Sequence, residues 1–226
     1  MNKLVQYLNQ HLVGEVTAQP DTLGEVSTDG SALMIKPEMV AYPRSTSDIR
    51  KILRFSWQLA EKGHTFSVTA RGGGIGSSGS ALSSGLVVSM TTHLHKVLEF
   101  DAKQKLVRVQ PGVRVASLQN TLSIEGMHVA GLEPESPSAT IAGVIASSNP
   151  IAVSDWIDQM EVVLSNGDVL QTKRLSKREI NKKKGEEGFE ANVYRGIDTI
   201  IEENKELIEQ LDENSAGGYS AIKQVK

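Results

Sequence analysis

The chain has 226 residues, of which 39% are hydrophobic and 23% charged, with a formal net charge of −3 and no cysteine. This length suits one large domain or two small lobes. The lack of cysteine excludes disulfides, thiol catalysis and cysteine-held metal clusters, and the charge argues against nucleic acid as a partner. No apolar run approaches the roughly 18 residues of a membrane span, and the first 16 residues are too polar for a signal peptide. We therefore expect a cytoplasmic protein.

The first 63 residues predict a helix, a strand and a longer helix. Residues 1–16 have the pattern of a short amphipathic helix, with these side chains on one side: Leu4, Tyr7, Leu8 and Val13. A short strand follows at "MVAYP". The next helix begins at Ser45 or Thr46, either of which can cap it, and it ends at Gly63, a left-handed stop.

Strands dominate the middle of the chain. "TFSVTA" and "GLVVSM" are short strands on either side of a glycine-rich loop. "KVLEFDAKQKLVRVQPG" predicts two strands around a turn, and "RVASLQNTLSIEGM" predicts a helix with Val115, Leu118 and Leu122 inward.

The C-terminal third begins with a hairpin signal. In "MEVVLSNGDVLQT" the pair Asn166-Gly167 lies between apolar runs and suits a type I′ turn. After Lys173 the chain becomes highly charged, and helices follow around residues 192–211. Helices and strands do not alternate in a regular βαβ order, so we expect an α+β fold of two lobes with mixed and antiparallel sheets.

The stretch "TARGGGIGSSGSAL", residues 69–82, needs a specific explanation because glycine loses much conformational freedom on folding. A flexible linker would not lie between two core strands. The ending Gly-Lys-Ser/Thr of a P-loop is absent, and the glycines can be fitted to a Rossmann spacing but a strand, not a helix, follows. Main-chain N–H groups, the hydroxyls of Ser77, Ser78 and Ser80, and the charge of Arg71 therefore predict a site for a nucleotide phosphate.

A second unusual segment is "GLEPESPSATIAGVIASSNP", residues 131–150, which is rich in small side chains. Small side chains let a flat ring lie against the main chain. The alternative is a surface loop that leads into a buried helical turn.

These segments together carry a family resemblance. "PRSTSDI", "RGGGIGSSGSAL", "VQPGV", "PESPSATIAGVIA" and "VVLSNGDVL", in this order, resemble the FAD-binding domain of the FAD-linked oxidases, the vanillyl-alcohol-oxidase/PCMH-type superfamily. The likeness is strongest to the branch of D-lactate dehydrogenase and glycolate oxidase flavoproteins, and it runs from about residue 26 to residue 219.

The resemblance implies a site for FAD between two α+β lobes. The pyrophosphate would meet the main chain of residues 72–77, the ring would lie along the segment around residues 134–143, and the adenine would meet the backbone of Val162. The cofactor-binding residues implied in this way are Arg71, Gly72, Gly73, Gly74, Ile75, Gly76, Ser77, Ser80, Pro111, Gly112, Pro134, Ser138, Ala139, Thr140, Gly143 and Val162. The glycine loop has no histidine, so the family's covalent flavin link at that place is absent and FAD would be bound non-covalently.

The chain departs from the family pattern in places. Ile75 stands where the family usually has Thr, Ala142-Gly143 stands where it has Gly-Gly, and the loop between Ser147 and Asp155 is short. Residues 1–36 would form an N-terminal helix and lead-in, and residues 37–226 the FAD-binding domain, with lobes at about 37–90 and 91–226. The family's C-terminal substrate domain is apparently absent, so a further domain or a partner chain is expected and no catalytic residue is named.

The function implied by the resemblance is an FAD-dependent oxidoreductase. It would oxidise a small substrate, a 2-hydroxy acid such as D-lactate or glycolate, and pass electrons to an unidentified acceptor. One alternative is a non-catalytic flavin-binding subunit that needs a partner. Another is a sugar-nucleotide reductase with the same flavin fold, which would need NADPH.

The remaining features favour ordinary structural roles. His93 and His95 could face one side of a strand, but no further ligand is spaced to complete a metal site, and none is expected. The basic run from Lys173 to Lys184 could attach the protein to the inner membrane face, although a solvated surface is favoured. Trp57 and Trp156 are expected to pack in the core or between the lobes.

Overall fold

A computed structural model describes residues 3–129, 132, 136–147 and 156–208. The helices of these residues are α1 (Lys3–His11), α2 (Pro20–Glu25), α3 (Thr46–Glu61), α4 (Val115–Ile124), α5 (Ile141–Ala146), α6 (Lys177–Gly185) and α7 (Phe189–Glu203). The strands are β1 (Glu15–Thr17), β2 (Met39–Tyr42), β3 (Val68–Arg71), β4 (Leu86–Ser89), β5 (Val97–Asp101), β6 (Leu106–Val109), β7 (Met160–Val163) and β8 (Val169–Thr172).

The first half of the chain forms a four-stranded mixed sheet in the order β1-β2-β4-β3. β1 runs antiparallel to β2, whereas β2, β4 and β3 are parallel. The central strands β2 and β4 are buried on both faces, which explains why both read as short apolar runs. The expected strands around the glycine-rich loop are therefore confirmed.

Helices cover both faces of this sheet. On one face, α1 and α3 pack Leu8 and Ile52 against Met39 and Leu86. On the other face, α2 contributes Leu23 to a smaller cluster on β2 and β4. Since β1 pairs with β2, residues 3–36 share this core.

The N-terminal helix differs from its prediction in extent. It ends at His11, so Val13 lies outside it and is 71% exposed. Val5, not named in advance, is buried beside Leu8. Leu8 is buried and Leu4 packs against the same core, as predicted, whereas Tyr7 is 45% exposed.

The helix α3 begins and ends as predicted. The hydroxyl of Ser45 accepts a hydrogen bond from the Asp48 amide, and Gly63 has a φ of +80° just beyond the helix. Asp48 is fully buried, and its carboxylate accepts hydrogen bonds from the amides of Val13, Gly14 and Arg44 at 2.9–3.0 Å. One side chain in α3 thus fixes the approach to β1 and the turn after β2.

The second half is built from antiparallel hairpins and helices. β5 pairs with β6, and a core forms between this hairpin and α4. The predicted inward residues Val115, Leu118 and Leu122 are all buried. The expected α+β class with mixed and antiparallel sheets is confirmed.

The β7–β8 hairpin is also present, but its turn is of another type. The Gly167 amide donates to the Leu164 carbonyl, and the Leu164 amide donates to the Asp168 carbonyl. Gly167 has a φ of +83°, whereas Asn166 does not have a positive φ. A type I′ turn needs positive φ at both positions, so the prediction was wrong and the loop has three residues.

Polar contacts join this hairpin to α3. Thr46 donates to Glu161 at 2.7 Å, and the Arg50 side chain donates to the Gly167 carbonyl at 3.0 Å. Arg54 forms an ion pair with Asp168. The hairpin is therefore positioned by the long helix of the first half.

The charged segment after β8 folds into the pair α6 and α7. Ser176 and Glu179 form a capping box at the start of α6, and Lys183 and Lys184 pair with acidic residues of α7. Trp57 contacts Phe189 edge to face with ring centroids 5.3 Å apart. Trp156, expected in the core or between the lobes, is instead 52% exposed.

No helix in the part of the chain described by the structure is long and apolar enough to cross a membrane. The cytoplasmic location and the peripheral membrane contact stay predictions, as does the division into lobes at residue 90.

Candidate functional site

The parallel strands end together at one edge of the first sheet. Tyr42, Arg71 and Ser89 are the last residues of β2, β3 and β4. In open sheets with parallel strands, ligands bind outside these carboxyl ends. A cleft of about 300 Å³ opens at this edge and is lined by Glu25, Val26, Tyr42, Arg71, Gly72, Gly73, Ser89, Thr91, Thr92, Arg114 and Ser138.

The glycine loop begins at this cleft with three closely packed glycines, which we call the inner segment, residues 72–74. A Cβ atom on Gly72 would overlap the Thr140 hydroxyl oxygen, and one on Gly73 would overlap the carbonyl oxygen of Ser138. Gly74 has a φ of +65°, which favours glycine. The main chain here lies directly against residues 138–140, with no room for side chains.

Backbone hydrogen bonds hold that small-residue segment in place. The Val115 amide donates to the Ala139 carbonyl at 2.9 Å, and the Ile141 amide donates to the Val113 carbonyl at 2.8 Å. Thr140 is buried, and its hydroxyl caps α5 by accepting a hydrogen bond from the Gly143 amide. Residues 138–143 are thus fixed between the glycine loop and the start of α4.

The Pro111-Gly112 pair joins the same assembly. The Pro111 carbonyl accepts a hydrogen bond from the Ala142 amide at 3.2 Å, and the Gly112 amide donates to the Leu94 carbonyl at 2.7 Å. A Cβ on Gly112 would overlap the carbonyl oxygen of Met90. The structure therefore brings together, in one connected assembly, the predicted residues Arg71, Gly72, Gly73, Gly74, Pro111, Gly112, Ser138, Ala139, Thr140 and Gly143.

The second part of the loop, residues 75–78, is the outer segment and is exposed. Gly76 has open space around its Cα, with only the Ser80 hydroxyl at 3.8 Å from a Cβ placed there. Ile75 is 39% exposed, so this departure from the family's Thr places an aliphatic side chain in solvent. Ser77 and Ser80 are exposed as well. The outer segment can therefore be approached from solvent.

Arg71 holds the loop against the residues that follow α2. Its guanidinium donates to the carbonyl oxygens of Thr28 at 2.8 Å and Val26 at 3.4 Å. Burial lowers the pKa of Arg71, opposed by the charge of Asp29. Burial raises the pKa of Asp29, but hydrogen bonds from Ser31 and the Ala81 backbone outweigh this and leave the pKa below its ordinary value. The charges of Arg71 and Asp29 therefore act on each other beside the inner segment.

Of the remaining predicted site residues, Val162 lies in another element and Pro134 falls outside the described residues. Val162 is paired with Leu170 within the β7–β8 hairpin and is not among the residues that line the cleft. Pro134 lies outside the described residues, as do residues 148–155, the main part of the short loop. Their cofactor contacts stay predictions.

Several residues that line the cleft were missed by the sequence interpretation. They are Glu25, Val26, Tyr42, Ser89, Thr91, Thr92 and Arg114. The ends of the predicted strands could have indicated Tyr42 and Ser89. Arg114 could not be found locally, because it reaches the cleft through a backbone bridge to Thr140.

His93 is engaged in an ion pair cluster rather than with His95. Its Nε2 lies 3.0 Å from Glu15, which also pairs with Arg44 at 2.8 Å. Hydrogen bonds from His93 and Arg44 lower the pKa of Glu15. Within the described ranges no three His, Cys, Asp or Glu side chains are grouped to hold a metal ion.

Comparisons with known proteins agree on one type of domain. The family described as "FAD binding domain" matches residues 37–173. D-2-hydroxyglutarate dehydrogenase of Pantoea ananatis is 32% identical over 85% of the chain, and that of Escherichia coli K12 is 34% identical over 77%. These matches cover 19% and 18% of the relatives, so the chain spans about a fifth of their length.

Solved structures show the same fold. 6-Hydroxy-D-nicotine oxidase from Arthrobacter nicotinovorans superimposes with a TM-score of 0.61 at 21% sequence identity, covering 75% of this chain and 38% of the oxidase. At this identity the likeness concerns the arrangement of helices and strands.

Proposed function

Because the chain belongs to the FAD-binding domain family, we propose that it binds FAD non-covalently, with the diphosphate in the cleft beside the inner segment of the glycine loop. The support is the cradle formed by Gly72 and Gly73, where a Cβ would strike residues 138–140. Main chain that is bare of side chains can bring amide N–H groups close to an anion. Hydroxyl groups of Ser89, Thr91 and Ser138 border the same cleft and can donate as well.

The residues around the cradle have distinct proposed tasks. The amide N–H groups of the solvent-exposed outer segment would donate to the diphosphate, as would the hydroxyls of Ser77 and Ser80. The Pro111-Gly112 pair and residues 139–143 would form a flat wall for the rest of the cofactor, since their backbone bonds hold them rigidly. Val162 would serve the adenine at a distance from this wall.

The proposed reaction is the oxidation of a 2-hydroxy acid. Bound FAD would supply the acceptor for the hydride equivalent that leaves the alcohol carbon. The names of the relatives favour D-2-hydroxyglutarate as the substrate over the D-lactate or glycolate expected from the sequence. The chain's own residues would hold and orient the cofactor, and a substrate domain would supply the proton-transfer groups.

The first experiment is a visible absorption spectrum of the purified chain, before and after addition of FAD and desalting. Retained flavin bands support the proposal, and a folded chain that retains none contradicts it. The retained complex is then mixed anaerobically with D-2-hydroxyglutarate and, separately, with D-lactate. Bleaching by D-2-hydroxyglutarate but not by D-lactate supports D-2-hydroxyglutarate as the substrate, and bleaching by D-lactate alone contradicts it.

A further inference from the structure

Two arginines, Arg71 and Arg114, border the cleft. The guanidinium of one of them is already hydrogen-bonded to the protein. Arg71 already donates to the carbonyl oxygens of Val26 and Thr28 and faces Asp29. Its guanidinium also lies where a Cβ of Gly74 would be. These contacts hold the Arg71 guanidinium against the protein and fix the inner segment from that side.

Arg114 has the opposite character. Its backbone is fixed, because it pairs with Thr140 and lies between the buried residues Val113 and Val115. Its side chain is exposed and lines the cleft, and it makes no hydrogen bond or ion pair within the described part of the chain. A side chain with a fixed backbone and a guanidinium that has no protein partner is suited to recognise a ligand.

The charges around the cleft favour the same residue. Among the described lining residues, the charged ones are Arg71, Arg114 and Glu25. The charge of Asp29 acts on Arg71, and the Arg71 guanidinium is bonded to the protein, so Arg114 is the cation of this lining that the protein does not already engage. The Glu25 carboxylate would repel a diphosphate in this cleft, and arginine is well suited to pair with phosphate oxygens.

We propose that Arg114 is the cation that recognises the diphosphate of the ligand, and that Arg71 is a positioning residue for the glycine loop. This inference rests on the proposed function. The two roles differ, because Arg114 would contact the ligand, whereas Arg71, which also borders the cleft, is bonded to the carbonyls of Val26 and Thr28.

The experiment compares Arg114→Gln with Arg71→Gln. The dissociation constant of FAD is measured by titration at low and high salt, with competition by ADP and by adenosine, which lacks phosphate. We expect Arg114→Gln to weaken FAD and ADP by about tenfold or more, as for the loss of a hydrogen-bonded charge, and to leave adenosine and the melting temperature unchanged. Arg71→Gln should lower the melting temperature, and Arg114→Lys should restore part of the affinity.

A second variant tests the sign of the charge. Glu25→Gln should tighten FAD binding at low salt, because it removes the repulsion between the Glu25 carboxylate and the diphosphate. This gain in affinity should be smaller at high salt, because salt already screens that repulsion in the unmodified chain. If Arg114→Gln binds FAD and ADP as the unmodified chain does, the role of Arg114 is overturned while the proposed function stands. If the unmodified folded chain binds no FAD, the proposed function fails first and this inference fails with it.

Discussion

The inner and outer segments of the glycine loop are both rich in glycine, yet for different physical reasons. At Gly72 and Gly73 the protein itself occupies the space that a side chain would need. At Gly76 the space is open, φ is not positive, and nothing in the described chain requires glycine. Packing thus explains the glycines of the inner segment. The open surroundings of Gly76 instead suit the proposed approach of a ligand from solvent.

One cluster of glycines can therefore serve two purposes. Its first part joins the loop to residues 138–140 and so assembles the cleft. In its second part the carbonyl of Ile75 packs against Gly30, but the side of Gly76 where a Cβ would stand is open to a ligand. Substitutions should separate the packing role of the inner segment from the ligand-binding role of the outer segment. They follow in order of their expected effect on the free energy of unfolding, from largest to smallest.

The largest effect is expected for Gly73→Ala. The methyl group would overlap the Ser138 carbonyl, which cannot move without breaking the backbone bonds of its segment. We expect a loss of about 3 kcal/mol in the free energy of unfolding, measured by urea denaturation. The control is Gly196→Ala in α7, where nothing lies within 4 Å and alanine should stabilise the helix by about 0.5–1 kcal/mol. Equal small effects at both sites would refute the close packing of the inner segment.

Gly74→Ala should be the next most costly. Alanine at positive φ costs about 1 kcal/mol or more, and its methyl would also displace the Arg71 guanidinium. The matched control is Gly63→Ala, with a φ of +80° but open surroundings. The difference between the two changes in unfolding free energy measures the contribution of Arg71. A difference near zero would show that Arg71 does not hold this glycine.

The hydrogen-bonded carboxylate of Asp29 predicts a pH dependence of stability. Because the folded state lowers the pKa of Asp29, the carboxylate stabilises the fold above its unfolded pKa of about 4 and loses this effect as the pH falls through the folded value. Asp29→Asn should therefore cost a few tenths of a kcal/mol at pH 7. The melting temperatures of Asp29→Asn and of the unmodified chain, measured from pH 7 to pH 3, should converge at the acid end. A difference in melting temperature that stays constant with pH would contradict the stabilising role of the Asp29 carboxylate.

Gly76→Ala should have the smallest effect on stability. Open space and an ordinary φ predict a change within about 0.5 kcal/mol, with a slight gain from the less flexible unfolded chain. If the outer segment meets the diphosphate, the methyl group should nevertheless weaken FAD binding about tenfold. A titration that gives unchanged affinity would show that the ligand does not touch this segment.

Local signals predicted much of the fold. Ser45 and Gly63 mark the ends of α3 correctly, and the apolar runs of β2 and β4 are buried strands as expected. The Asn166-Gly167 pair identified the hairpin but not its turn, since either of two turn types accepts this pair. The helix α6 was missed although Ser176 and Glu179 carry a capping-box spacing, because the lysines around them resemble a solvated loop.

The candidate site was less accessible to local reasoning. The glycine loop attracted attention through composition, but its contact with Ser138 and Thr140 joins residues more than 60 positions apart. The free charge of Arg114 depends on that contact as well, because the bridge to Thr140 places it at the cleft. Composition alone favours Arg71 as the cation for the ligand. Its hydrogen bonds to the carbonyls of Val26 and Thr28 show that its guanidinium is held by the protein.

The edge-to-face contact of Trp57 with Phe189 has an optical consequence. The Trp57 indole also donates a hydrogen bond to Glu61 at 2.9 Å, so its surroundings combine a fixed polar group with an aromatic ring from α7. The protein has only one other tryptophan, Trp156, which is exposed. In the variant Trp156→Phe, the emission of the single remaining indole becomes a built-in reporter of whether α7 is seated on α3.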